Sequence, residues 1–159
     1  MRTRRSRPAR WVLAPAFVIL SALPLAAAPA VVITAGVGIG PITIGMPVAK
    51  VAPTLRLQAT PKVSGNRVVY DYAKAGLTVW ATDDAVVRVA TRNPFHKTST
   101  GVRPGQPWSE SLLSVCRGAA VTAETARGYE VSCTFVGIGF EVAGDKLASI
   151  SVFRAAARK

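Results

Sequence analysis

From residue 66 onward the chain alternates. Over 66–73, 76–82 and 85–92, apolar and polar positions exchange every other residue, the period of a half-buried β-strand. The same alternation returns at 127–135, 137–143 and 146–153. Asp83-Asp84 and Gly144-Asp145 divide the last two strands of each set and suit two-residue hairpin turns. Ahead of each set stands a glycine with a proline two places on, in Gly45-Met46-Pro47 and Gly105-Gln106-Pro107. Proline suits the first helical position, where the N–H is unbonded in any helix. A short helix is expected after Pro47, cut off by Pro53, and a better one over 107–116, with Glu110 near its positive end.

The two sets are in register. Gly45-Met46-Pro47 lies 60 positions before Gly105-Gln106-Pro107, and 76–91 aligns on 137–152 without a gap at an offset of 61. Gly76 meets Gly137, Leu77 meets Ile138, Val79 meets Phe140, Asp84 meets Asp145 and Val89 meets Ile150. Upstream, Val68-x-Tyr70-x-Tyr72 meets Tyr129-x-Val131-x-Cys133. One pattern in one order at nearly constant spacing indicates internal duplication. The expected fold class is α+β: two tandem helix-plus-antiparallel-meander repeats forming a largely antiparallel sheet with helices on one face. The expected divisions are 1–30, a first repeat at 31–92, a linker at 93–100 with a turn at Asn93-Pro94, and a second repeat at 101–159.

Charge and export modify this picture. The formal charge is +12, and removing Arg2, Arg4, Arg5, Arg7 and Arg10 leaves +7 on residues 31–159. That balance favours anionic partners but is too dispersed for a nucleic-acid surface, since no run of five Lys/Arg follows residue 10. The basic start, the 18-residue apolar stretch 11–28 and Ala28-Pro29-Ala30 read as an export signal cleaved before Val31; a retained membrane anchor is the alternative. The expected location is extracellular or in the cell envelope, with membrane contact only through that signal. Outside the cytoplasm, Cys116 and Cys133, the two cysteines, most simply form a disulfide.

Catalytic and cofactor signals are weak. Gly40 and Gly45 have the glycine spacing of a phosphate loop, but Met46-Pro47 stand where Lys and Ser/Thr are needed. His96, the one histidine, falls in the expected linker and reads as a solvated loop residue without a fixed triad geometry. Two cysteines and one distant histidine make a poor zinc set. No cofactor, no metal and no enzymatic activity are expected. Strand parity instead points to a binding face. Leu77, Val79 and Ala81 share the apolar side, so Thr78, Trp80 and Thr82 lie on the other, with Arg88 on the next strand and Glu141 at the position equivalent to Trp80. An indole beside a cation on an open sheet face is a suitable anchor for a partner.

The motifs "GPITIGMP" (40–47), "TGVRPGQP" (100–107) and the Tyr…Gly-Leu-x-Val hairpin resemble those of a broad group of exported actinobacterial proteins, mostly of unknown function. Their repeat is similar to the BamE-like outer-membrane lipoprotein fold and to the beta-lactamase inhibitor protein, which carries two such units in tandem. The chain departs from the inhibitor in having one cysteine pair, where the inhibitor has a bridge in each half, and in lacking its long contact loop. The resemblance implies the fold. The leading expectation for function is an exported, non-catalytic module that docks a protein or an anionic envelope component on the open sheet face. The alternatives are a secreted enzyme inhibitor of the kind the resemblance implies and an unrecognised hydrolase.

Overall fold

The computed structural model describes residues 31–116 and 120–157. The expected export signal over 1–30 lies outside the described residues. In chain order the elements are β1 (Val32–Thr34), β2 (Gly38–Ile39), β3 (Ile42–Thr43), a 3-10 turn (Val48–Lys50), α1 (Val51–Leu55), β4 (Pro61–Ser64) and β5 (Arg67–Tyr72). A 3-10 turn (Ala73–Ala75), β6 (Leu77–Thr82), β7 (Ala85–Thr91) and β8 (Lys97–Thr98) follow. The chain continues through a 3-10 turn (Glu110–Val115), β9 (Val121–Thr125), β10 (Gly128–Cys133), β11 (Ile138–Ala143) and β12 (Lys146–Phe153). The fold is α+β, mostly antiparallel sheet, with one short α-helix among the described residues.

Eight strands form the main sheet in the order β4-β5-β6-β7-β12-β11-β10-β9. Each half is a four-strand meander, and the halves join through an antiparallel β7–β12 ladder that pairs Ala90 with Ser151 and Val89 with Val152. Asp83 and Asp84 both have positive φ (49° and 58°), the geometry of a type I′ hairpin whose twist matches that of its strands. A bulge at Val87 opposite β6 has a counterpart at Ala148 opposite β11. Such bulges deepen local twist and bend the sheet.

Several backbone bonds recur 60 or 61 positions apart. Gly45 N–H donates to Val86 O and Gly105 N–H to Leu147 O, both at 2.7 Å. Val48 N–H donates to Asp84 O and Trp108 N–H to Asp145 O, both at 2.8 Å. Arg92 N–H reaches Gly76 O at 2.9 Å, and Phe153 N–H reaches Gly137 O at 3.1 Å.

One face of the main sheet is covered, though not chiefly by helices. A small sheet of order β3-β2-β1-β8 lies over the central strands β7 and β12 and contributes Ile33, Ile39 and Ile42 to the core. β1 pairs with β8 in parallel, so the segment 93–100 read as a linker carries a strand. Below this layer Val79, Val89, Phe140, Ile150 and Val152 are fully buried. Trp108 packs over Phe140 and edge-on to Tyr129, with ring centroids 6.2 and 6.3 Å away.

The helices depart from expectation. α1 runs through Pro53 to Leu55, because Pro53 occupies the first turn, where its missing N–H has no helical partner to lose. Arg56 then turns left-handed (φ 54°) and ends it. The segment over 107–116 is not the better helix. Ser109 Oγ accepts from Ser111 N–H at 3.3 Å, and Leu112 N–H and Cys116 N–H bond three residues back, to Ser109 O and Leu113 O, so a tight 3-10 turn forms.

Cys116 is disulfide-bonded to Cys133, tying that turn to β10. Reduction, or Cys116→Ala with Cys133→Ala, is expected to lower unfolding free energy by about 3 kcal/mol, the value for a loop of this length. Urea titration with and without reductant measures it, and superimposable curves would contradict it.

Candidate functional site on the open sheet face

The second face of the main sheet has no covering layer among the described residues. Across it run Val69, Trp80, Arg88 and Phe153 in one cross-strand row and Asp71, Thr78, Ala90, Ser151, Gly139 and Ser132 in the next. A hollow of about 320 Å³ touches Lys62 on β4, Trp80 on β6, Glu141 on β11 and Arg127 in the β9–β10 turn. On a flat sheet β4 and β11 would stand roughly 24 Å apart at ordinary strand spacing. One hollow touching both makes this face a trough. A second hollow of about 300 Å³ is lined by Arg67, Arg88, Ser132 and Phe153, among others.

At the centre of the trough stands Arg88. Its Nη2 donates to Glu130 Oε1 at 2.6 Å and to Ser151 Oγ at 2.9 Å, and its guanidinium lies 5.3 Å from the Trp80 ring and 6.0 Å from that of Phe153. The pair is only partly exposed, 29% for Arg88 and 17% for Glu130, so screening by water is reduced but not removed. Arg88 Nε is buried without a hydrogen-bond partner among the described residues. Ser132 Oγ also donates to Glu130 Oε1, at 3.1 Å. The bond from β7 to β10 crosses the seam between the two meanders. Space for it comes from Gly139, where a Cβ would fall 2.5 Å from Glu130 Oε1 and 2.7 Å from Ser151 Oγ.

Thr78, Trp80 and Glu141 line the first hollow and Arg88 the second; Thr82, at the strand end, lines neither. Trp80 is half-buried, its ring facing Arg88 across the β6–β7 pair. Its counterpart Glu141 instead accepts a hydrogen bond from Ser149 Oγ at 2.8 Å. Arg92 makes a longer, exposed contact of 3.4 Å with Asp71. Sequence reasoning missed Glu130, Ser151, Phe153 and Gly139. Parity alone places Glu130 on the face of Glu141, but its pairing with Arg88 depends on the join between β7 and β12.

His96 is not a solvated loop residue. It is 6% exposed, and its Nδ1 shares a hydrogen bond of 2.8 Å with Thr91 Oγ1. The reason is that the turn after Asn93 folds back: Asn93 O accepts from His96 N–H, and the chain re-enters the small sheet at Lys97. Burial lowers the His96 pKa below its ordinary value. Among the described residues no group of three His, Cys, Asp or Glu side chains converges on a point that could hold a metal ion.

The sequence matches no family model and no curated protein. The fold is similar to that of the uncharacterized protein yfeY from Escherichia coli, with a TM-score of 0.54 and 20% identity over 76% of this chain and 99% of that one. The likeness is one of fold.

Two outcomes follow from this geometry. Gly139→Ala must displace Glu130 or Ser151 and is expected to cost about 1–3 kcal/mol, the range for overpacking, read by denaturant unfolding. Stability unchanged in that variant would mean that the pair does not depend on this gap. Because folding disfavours protonated His96, stability is full above about pH 6.5 and falls as acid protonates the unfolded chain preferentially. The urea midpoint should therefore drop between about pH 7.5 and pH 5.5, and less so in His96→Gln. An identical drop in both proteins would remove His96 as its source.

Proposed function

We propose that the chain is an exported, non-catalytic binding module whose trough receives a segment of a partner protein. The observation that carries this reading is the uncovered face itself: a curved, eight-strand surface with a half-buried indole at its middle, steadied by a guanidinium that is already paired. A rigid aromatic anchor in a concave, partly desolvated setting is the kind of residue that dominates protein recognition. Lys62, Arg67, Arg92 and Arg127 share the trough with Asp71 and Glu141. Such mixed signs suit a protein segment carrying both charges better than a uniform polyanion, which would meet repelling carboxylates.

Export draws support from the basic-then-apolar start and from the disulfide, a bond that persists in oxidising compartments. Internal duplication draws support from the recurring backbone bonds and paired bulges, and from Ala90 facing Ser151, its own equivalent, at the seam. We read the chain as two meander units related by a local two-fold axis at that pair. This arrangement agrees with the resemblance to the BamE-like repeat and to the beta-lactamase inhibitor protein. Inhibition of a secreted enzyme is one form that docking in the trough could take.

Capture from envelope and culture-fluid fractions, comparing the wild type with Trp80→Ala, tests the reading. Trp80→Ala is expected to weaken binding of the captured protein by about 2 kcal/mol, some thirtyfold. Equal capture by both proteins would remove the trough as the docking face. Retention on immobilised polyphosphate that falls with salt but ignores Trp80 would replace the protein partner with an anionic polymer.

A further inference from the structure

The two hollows of the trough differ in charge. Asp71 and Glu141 line the first, whereas no carboxylate lines the second. Around the second stand Arg67, Arg88, Ser132, Thr134 and Phe153. Arg67 begins β5 and Ser132 is in β10, with four strands between these two in the main sheet, so the curl of the trough brings their side chains to one place.

The donors at this hollow are not used up. Arg67 is exposed and forms no ion pair among the described residues. Arg88 commits only Nη2, to Glu130 and Ser151, and its Nη1 makes no hydrogen bond among the described residues. Arg88 Nε also has no partner but is shut off from solvent, so Nη1 is the donor that an incoming group meets. Thr134 adds a hydroxyl able to donate. The carboxylates of the same face are engaged: Glu130 accepts from Arg88 and Ser132, Glu141 from Ser149, and Asp71 faces Arg92.

We propose that the second hollow is a carboxylate subsite, in which an acidic side chain of the docked segment is held between Arg67 and Arg88 Nη1. Charge selects the occupant. Glu130 offsets one of the two guanidinium charges at the hollow and leaves one, which a single carboxylate neutralises. A phosphate dianion exceeds that remainder and is repelled by Glu130. The Phe153 ring offers an apolar wall to the methylenes of a glutamate, which a phosphate lacks. The guanidinium of Arg88 lies 5.3 Å from the Trp80 ring. Side chains on one face of an extended segment are about 6.6 Å apart, so the acid stands two residues from the apolar side chain that meets Trp80. Only the origin of the carboxylate in a partner segment rests on the docking reading.

The test is an NMR titration of the intact 159-residue chain, labelled with nitrogen-15 and held in non-ionic detergent. The probes are acetyl-Leu-Ser-Glu-amide, its counterpart ending in glutamine, and inorganic phosphate, all at constant ionic strength. The glutamate peptide is expected to shift the Arg88 Nε–H and Ser132 N–H signals saturably in the millimolar range. The glutamine peptide and phosphate are expected to bind about fivefold more weakly, the effect of one partly exposed ion pair. Arg67→Gln, which alters an exposed side chain without an ion partner, should weaken the glutamate peptide by a similar factor and leave the glutamine peptide unchanged. Equal affinity for the two peptides, no shift from the glutamate peptide, or indifference of that peptide to Arg67→Gln would overturn the subsite. Phosphate binding tighter than the glutamate peptide would overturn its assignment to a carboxylate. Each of these results stands apart from capture by Trp80→Ala, which bears on the docking reading alone.

Discussion

Along the β7–β12 ladder Val89 faces Val152 and Thr91 faces Ile150, with all four side chains buried. This seam does for the molecule what a linker cannot. It turns two meanders, each with only a few apolar strand positions to bury, into one surface wide enough to be covered by the small sheet. β2 touches both β7 and β12, and β3 touches β7, so this layer straddles the seam. Side-chain alternation does the rest, because a strand that commits its aliphatic side to that layer must present its polar side on the reverse. The trough is thus the counterpart of the core.

The Arg88–Glu130 pair shows what this reverse face tolerates. Withdrawing two charges from water carries a desolvation penalty that only good geometry and further hydrogen bonds offset. Ser151 and Ser132 supply those bonds, the Trp80 and Phe153 rings supply polarisable surfaces, and Gly139 leaves the room. Every partner but Trp80 belongs to the second half of the chain, so a side chain of the first half is held in position by the second.

The inner strands were legible in the sequence because each buries one face: Leu77, Val79 and Ala81 alternate with Thr78, Trp80 and Thr82 as periodicity requires. The outer strands were not. β4 is exposed at all four positions and β9 at four of five, so neither carries a periodic signal, although Gly65-Asn66 between Val63 and Val68 is a hairpin dipeptide that could have revealed β4. The small sheet escaped notice because two- and three-residue strands are shorter than one period of evidence. His96 was misplaced for a related reason: its burial follows from a parallel pairing with β1, far away in sequence. Of the trough, parity gave the faces of Trp80, Arg88 and Glu141, while the link from Arg88 to Glu130 required knowing which strands meet at the seam.

The two rims of the main sheet are not alike. β4 begins with Pro61, which has no N–H to offer, and carries Lys62, whose charge resists a neighbouring strand. β9, Val121–Thr125, has neither proline nor lysine. Protection of the main sheet's edges is therefore one-sided: proline and lysine discourage strand addition at β4, and β9 carries neither device.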